Sequence, residues 1–143
     1  MTMAWTPYGP GTLTYTIGEP GSPVSFAQET KGGGIEHEYT EVGEDTTYLD
    51  GTEDPASELR ADHFTADCDF DLGPTGFYAF LFENDLATAA VEFSPHTATG
   101  AKWAGDVRVK LPDGVKGEKF GAKMSGTVKH SFVGPCTFTP GTV

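Results

Sequence analysis

Apolar and polar residues alternate most strictly between Thr65 and Leu72. Ala66, Cys68, Phe70 and Leu72 point one way, and Asp67, Asp69 and Asp71 the other. A period of two belongs to a β-strand with one covered and one open face. Gly73-Pro74 ends it, because proline lacks the donor a ladder needs. The apolar run from Gly76 to Leu86 predicts a short helix over about 76–86, closing on the polar Glu83-Asn84-Asp85. Ala89 to Phe93 predicts another strand, stopped by Ser94-Pro95. In a third, Trp103, Gly105, Val107, Val109 and Leu111 face one side, with Lys102, Asp106, Arg108 and Lys110 on the other. A helix laid on a mostly antiparallel sheet is the simplest arrangement of these pieces.

The flanking chain adds further short strands. Met1 to Gly11 is polar and turn-rich, an N-terminal arm carrying Trp5 and Tyr8 as large amphipathic surfaces. Thr12 to Ile17 is a strand stopped by Gly18-Glu-Pro-Gly21, and Pro23 to Gln28 a short extended piece. Lys31-Gly-Gly-Gly34 predicts a turn or a flexible bulge. Ile35 to Val42 resumes extended structure, with Glu36 and Glu38 on one face and His37, Tyr39 and Glu41 on the other. Thr46 to Leu49 is strand-like. From Gly51 to Asp62 the chain is polar, with Leu59 its one large apolar residue, and predicts a long loop. Loops of that length usually carry function or move. Pro112-Asp113-Gly114 is a turn, and Phe120 to Val133 alternates again before Gly134-Pro135 and a closing Cys136 to Thr139. The inventory is mainly β, with about eight strands and one helix.

Glycine supplies 19 and proline 10 of the 143 residues, in short clusters between alternating runs, which fits many strands joined by turns. That length suits one domain with a real core. The net charge of −12 argues against ordinary nucleic-acid binding, which needs basic footprints. No run of 18 apolar residues predicts a membrane span, and the N-terminus lacks the basic start and apolar core of a signal peptide. Cys68 and Cys136 read as buried free thiols, since Cys68 sits on the apolar face of its strand.

Candidate chemistry is sparse. Asp67, Asp69 and Asp71 resemble the opening of a calcium loop, but Leu72 and Tyr78 stand where that loop needs Gly and Glu. His37, His63, His96 and His130 show no metal-ligand spacing, and no G-x-S-x-G elbow organises a serine nucleophile. Nothing points to an enzyme, a metal or a cofactor. Rows of carboxylates on a well-formed strand repel each other unless solvated, so that face is expected to meet water.

The order of several motifs resembles the major tail protein (tail tube protein) of long-tailed bacteriophages. Thr12-Leu-Thr-Tyr-Thr-Ile-Gly18 is similar to its opening strand, and Thr46-Thr-Tyr-Leu-Asp-Gly51 to the strand before its long loop. Thr65 to Leu86, with Gly76-Phe-Tyr-Ala-Phe-Leu opening the helix, resembles its strand–helix unit. Val91-Glu-Phe-Ser-Pro95, Ala104-Gly-Asp-Val-Arg-Val-Lys110 and Phe132-Val-Gly-Pro-Cys-Thr-Phe-Thr-Pro140 resemble its closing strands.

The resemblance implies a β-sandwich or partly closed β-barrel over 12–140 with one flanking short α-helix, an arm over 1–11 and a tail over 141–143. It implies hexameric rings stacked into a tube in the virion tail, assembled in the host cytoplasm, through which DNA passes without specific binding. Tape-measure, tail-tip and tail-terminator proteins are the implied partners. The implied lumen-facing acids are Asp67, Asp69 and Asp71, with Glu36 and Glu38 as the alternative pair. Implied contacts between subunits or rings are Trp5 and Tyr8 in the arm, and Glu53, Asp54, Pro55, Glu58, Leu59 and Arg60 in the loop. A head-completion, decoration or tail-end ring protein shares the acidic β profile, and a small calcium- or carbohydrate-binding β module is a further alternative.

Overall fold

The computed structural model describes residues 5–18 and 21–142. Met1 to Ala4 of the expected arm, Glu19-Pro20 of the first turn and Val143 of the expected tail lie outside the described residues. Ten strands and one helix follow in order: β1 (Thr12–Ile17), β2 (Val24–Ser25), β3 (Thr30–Val42), β4 (Thr46–Thr47), β5 (Glu53–Asp54), β6 (Ser57–Asp69), α1 (Phe77–Glu83), β7 (Thr88–His96), β8 (Ala101–Arg108), β9 (Ser125–Ser131) and β10 (Thr137–Thr139).

The strands form a five-stranded sheet, β10-β8-β7-β1-β2, a three-stranded sheet, β3-β6-β9, and a small β4-β5 pair. All named pairings are antiparallel. The two larger sheets make a β-sandwich-like body, and no sheet closes into a barrel. Between them lie Leu13 and Tyr15 of β1, Val91 and Phe93 of β7 and Val107 of β8. Phe64, Ala66 and Cys68 of β6 and Val128 of β9 belong to the same buried cluster. Phe64 and Phe93 meet across the interface with ring centroids 5.3 Å apart. Each such buried ring contributes about 1.5–3 kcal/mol.

α1 is shorter than the expected 76–86. It ends at Glu83 because Asn84 turns back on the Phe80 carbonyl and Leu86 takes a positive φ of 66°, held by a hydrogen bond to the Val109 carbonyl. Its start is anchored from a distance. The Glu29 carboxylate accepts from the backbone N–H of Phe77 at 3.0 Å and of Asp71 at 2.8 Å. Gly76 must be glycine, since a Cβ there would fall 2.0 Å from the Asp71 carbonyl oxygen. Phe77 stacks on Phe26 at 4.4 Å, and Tyr15 packs edge-on against both.

Of the turn or flexible bulge expected at Lys31 to Gly34, the structure holds the bulge, between Thr30 and Gly32, and Gly32 to Gly34 continue β3. Three further expectations are corrected. Ser94-Pro95 does not stop β7, because a register shift between Phe93 and His96 accommodates the proline. Phe120 to Met124 is outside β9, and Phe120 is fully exposed. The long loop Gly51 to Asp62 is largely β-structure: Glu53–Asp54 is β5, and from Ser57 onward the chain is already in β6.

Candidate functional site

The last correction exposes the most unusual part of the molecule. β3 and β6 pair without interruption from Gly32↔Asp67 to Val42↔Ser57, but the body supports only their first half. From Glu38 to Ala61 every residue except Ala56 is exposed, including both faces of the ribbon. Five residue pairs beyond Asp62 carry the hairpin outward by roughly 17 Å before the β4-β5 tip. The tip is organised by Asp50, which accepts from the Thr52 backbone and hydroxyl, and by Asp45, which accepts from the Ala56 N–H.

The implied contact residues distribute along this arm. Glu53 and Asp54 lie in β5, Pro55 between the strands, and Glu58, Leu59 and Arg60 in β6. Sequence reasoning missed their apolar companions. Tyr39, Val42 and Tyr48 are exposed, and Leu49 stands free of the fold at 105% relative exposure. The signal was present, since four large apolar residues in a stretch with no alternation have no core to face. Seven carboxylates, Glu41, Glu44, Asp45, Asp50, Glu53, Asp54 and Glu58, share this arm with no Lys or Arg between residues 41 and 58. More than half of the net charge of −12 therefore sits on one projection.

Of the two alternative sets of candidate lumen acids, all but Asp71 lie on one face. Register places Glu36 opposite His63 on β6, and Asp67 and Asp69 opposite Thr127 and Ser125 on β9, so these acids share the outer face of the three-stranded sheet. Asp71 is not among them. It lies past the end of β6, where its carboxylate accepts from the Gly73 N–H. The shared face is charge-mixed rather than bare acid. Lys31 meets Asp69 at 3.0 Å, Lys123 meets Asp69 at 3.9 Å, and Lys129 lies 3.2 Å from Glu38 and 3.7 Å from Glu36. Asp67 accepts from the Thr127 hydroxyl. These pairs are open to solvent and add little stability.

Trp5 and Tyr8 are exposed, but the chain around Tyr8 is not loose. The Gly9 N–H donates to the Pro95 carbonyl, and the Pro10 carbonyl accepts from Thr97. Near the other end, the Thr142 N–H donates to the Thr99 carbonyl, so both segments meet the same β7–β8 turn. Cys68 is a buried free thiol as expected, pushed up to about 11 by burial, whereas Cys136 is only half-buried.

The described residues thus present an exposed, acidic, aromatic-tipped arm on a sandwich-like body, with a mixed-charge sheet face at its root. The same fold occurs in a known kind of particle. One chain from the tail of an empty gene transfer agent particle, refined helically with C6 symmetry, superposes with a TM-score of 0.59 at 17% identity. A chain from the virion of a native gene transfer agent particle gives 0.54 at 13%. Each alignment covers 89% of this chain and 95% of the other. No family profile and no curated protein matches the chain. At these identities the likeness establishes the fold, and it spans nearly the whole of both chains.

Proposed function

We propose that this chain is a structural subunit of a phage-like tail, self-assembling as stacked hexameric rings around a channel that conducts DNA. The observation that carries the reading is the arm. A two-stranded ribbon with exposed Tyr39, Tyr48, Leu49 and Leu59 has no partner among the described residues. Isolated hairpins are marginal in water, and exposed aromatic anchors are what interfaces bury. The whole-length likeness to a tail chain refined with C6 symmetry supports a second copy of this chain as the partner and a ring of six.

In such a ring the outer face of the three-stranded sheet lines the channel, carrying Glu36, Glu38, Asp67 and Asp69 with their lysines. Its mixed charge suits passage without adhesion. Lys31, Lys123 and Lys129 are each engaged by a carboxylate, so few cations remain free for phosphate. Contacts between subunits or rings fall to the arm, with Glu53, Asp54, Pro55, Glu58, Leu59 and Arg60 beside the aromatic tip, and to Trp5 and Tyr8. Partners at the tube's ends and along its channel would be the tail-tip, tail-terminator and tape-measure proteins of such a particle.

The test removes the tip of the arm, with Tyr48 and Leu49, without disturbing the body. Deleting Glu53 to Glu58 alone would break the β3–β6 register, so residues 43–56 are replaced by Asn-Gly, which closes a two-residue hairpin after Val42↔Ser57. Sedimentation velocity should show high-order species for the intact chain and monomers with an unchanged circular dichroism spectrum for the shortened one. Equal assembly by both would overturn the reading.

A further inference from the structure

Where the body ends and the arm begins, one carboxylate is buried. The Asp62 side chain has no exposed surface. Its Oδ1 accepts from Nδ1 of His37 on β3 at 2.6 Å and forms an ion pair with Nε of Arg60 on β6 at 3.0 Å. Its Oδ2 accepts from the backbone N–H of Cys136 at 3.1 Å, and its carbonyl from the Phe132 N–H at 2.9 Å. One residue thereby joins both strands of the arm to the segment that leads into β10, the edge of the other sheet.

We propose that Asp62 is a positioning residue for self-assembly, clamping the arm to the C-terminal segment so that the aromatic tip and the β10 edge are presented as one unit. The inference rests on the arm being the docking element. On the opposite face of the root, Glu38 reaches Lys129 through a pair open to solvent, which constrains the ribbon weakly, and lies 3.4 Å from Nε2 of His63 without a hydrogen bond. A buried carboxylate deprived of its partners is far more costly, so the inner clamp governs direction. Burial alone would push this carboxyl up. The hydrogen bonds from His37 and Cys136 and the Arg60 charge outweigh that and hold it at about 2, so the clamp stays ionised in all ordinary buffers. Asparagine cannot replace it. With donors converging on both oxygens, the amide nitrogen would face an N–H whichever way it turned.

The test is hydrogen–deuterium exchange on the full chain, kept dilute and unassembled. In Asp62→Asn, exchange should rise about tenfold or more in three segments together: 37–42, 57–61 and 132–139. Amides of β1 and β7 should stay as slow as before. Lys129→Gln, which cuts the exposed pairs, should leave all of them slow. Should Asp62→Asn fail to fold, the double variant His37→Ala/Arg60→Gln frees the arm side of the clamp and should speed 37–42 and 57–61 alone. Unchanged arm exchange, or an even rise through β1 and β7, would overturn the proposal. Electron microscopy of the same variant separates the two claims: a loosened arm with normal tubes would overturn the positioning role of Asp62, whereas the docking role fails only if the chain with residues 43–56 replaced still assembles.

Discussion

Between the sheets, the His130 imidazole bridges Tyr15 of β1 and the carbonyl of Lys110. Tyr15 donates to Nδ1 at 2.8 Å, and Nε2–H donates to the carbonyl oxygen at 3.0 Å, an arrangement that requires a neutral ring. Burial keeps it neutral, lowering its pKa from the ordinary 6.5. The folded value lies below the unfolded one, so the unfolded chain takes up the proton first as pH falls. Stability is therefore fullest above about pH 6.5 and declines as pH drops toward the depressed folded value. Urea midpoints should fall between about pH 8 and about pH 5 in the natural chain and fall less in His130→Leu. Tyr15→Phe leaves Nδ1 buried without a donor and should cost about 1–3 kcal/mol in the same assay. On the outer face, Asp69→Asn releases Lys31 and Lys123. Tubes of that variant should retain DNA on a low-salt gel where the natural tubes do not, and equal mobility would show the pairing to be irrelevant.

At the level of elements, α1 depends on a backbone approach that no side chain allows. Gly76→Ala sets a Cβ against the Asp71 carbonyl and should cost about 1–3 kcal/mol, seen as a lower melting temperature and weaker near-ultraviolet dichroism from Tyr15 and its neighbours. Elements with one dry face were legible in the sequence. β1 and the later part of β9 lie where the alternation put them, as do the inner half of β6 and β8, although these two stop at Asp69 and Arg108, short of the expected Leu72 and Leu111. The outer half of β3 reads as extended in the sequence, from Ile35 to Val42, whereas that of β6 does not: a strand wet on both faces has no alternation to read, and Ser57 to Ala61 therefore resembled a loop. Pro95 misled for another reason: the bulge that admits it depends on the partner strand. Asp62 was hidden because its donors come from His37 and Cys136, residues far away along the chain.

For the whole molecule, charge and shape point in different directions. The arm places seven carboxylates at the place where a second copy would dock, and the chain as a whole carries −12. Like-charge repulsion opposes assembly at low ionic strength and fades as the Debye length shrinks, from about 30 Å at 0.01 M salt to about 8 Å at 0.15 M. Assembly should therefore strengthen with salt over that range, as light scattering can follow, up to the point where any attractive pairs are screened as well. The sandwich itself, with its core already closed, should be indifferent to the same change.

Negative-stain electron microscopy of the purified chain, at rising concentration and moderate salt, tests the central claim most directly. The account predicts hollow tubes, or short stacks of rings, with sixfold end views. Closed single rings that never stack would contradict it, and so would a chain that stays monomeric even when a tail tip is supplied to nucleate growth.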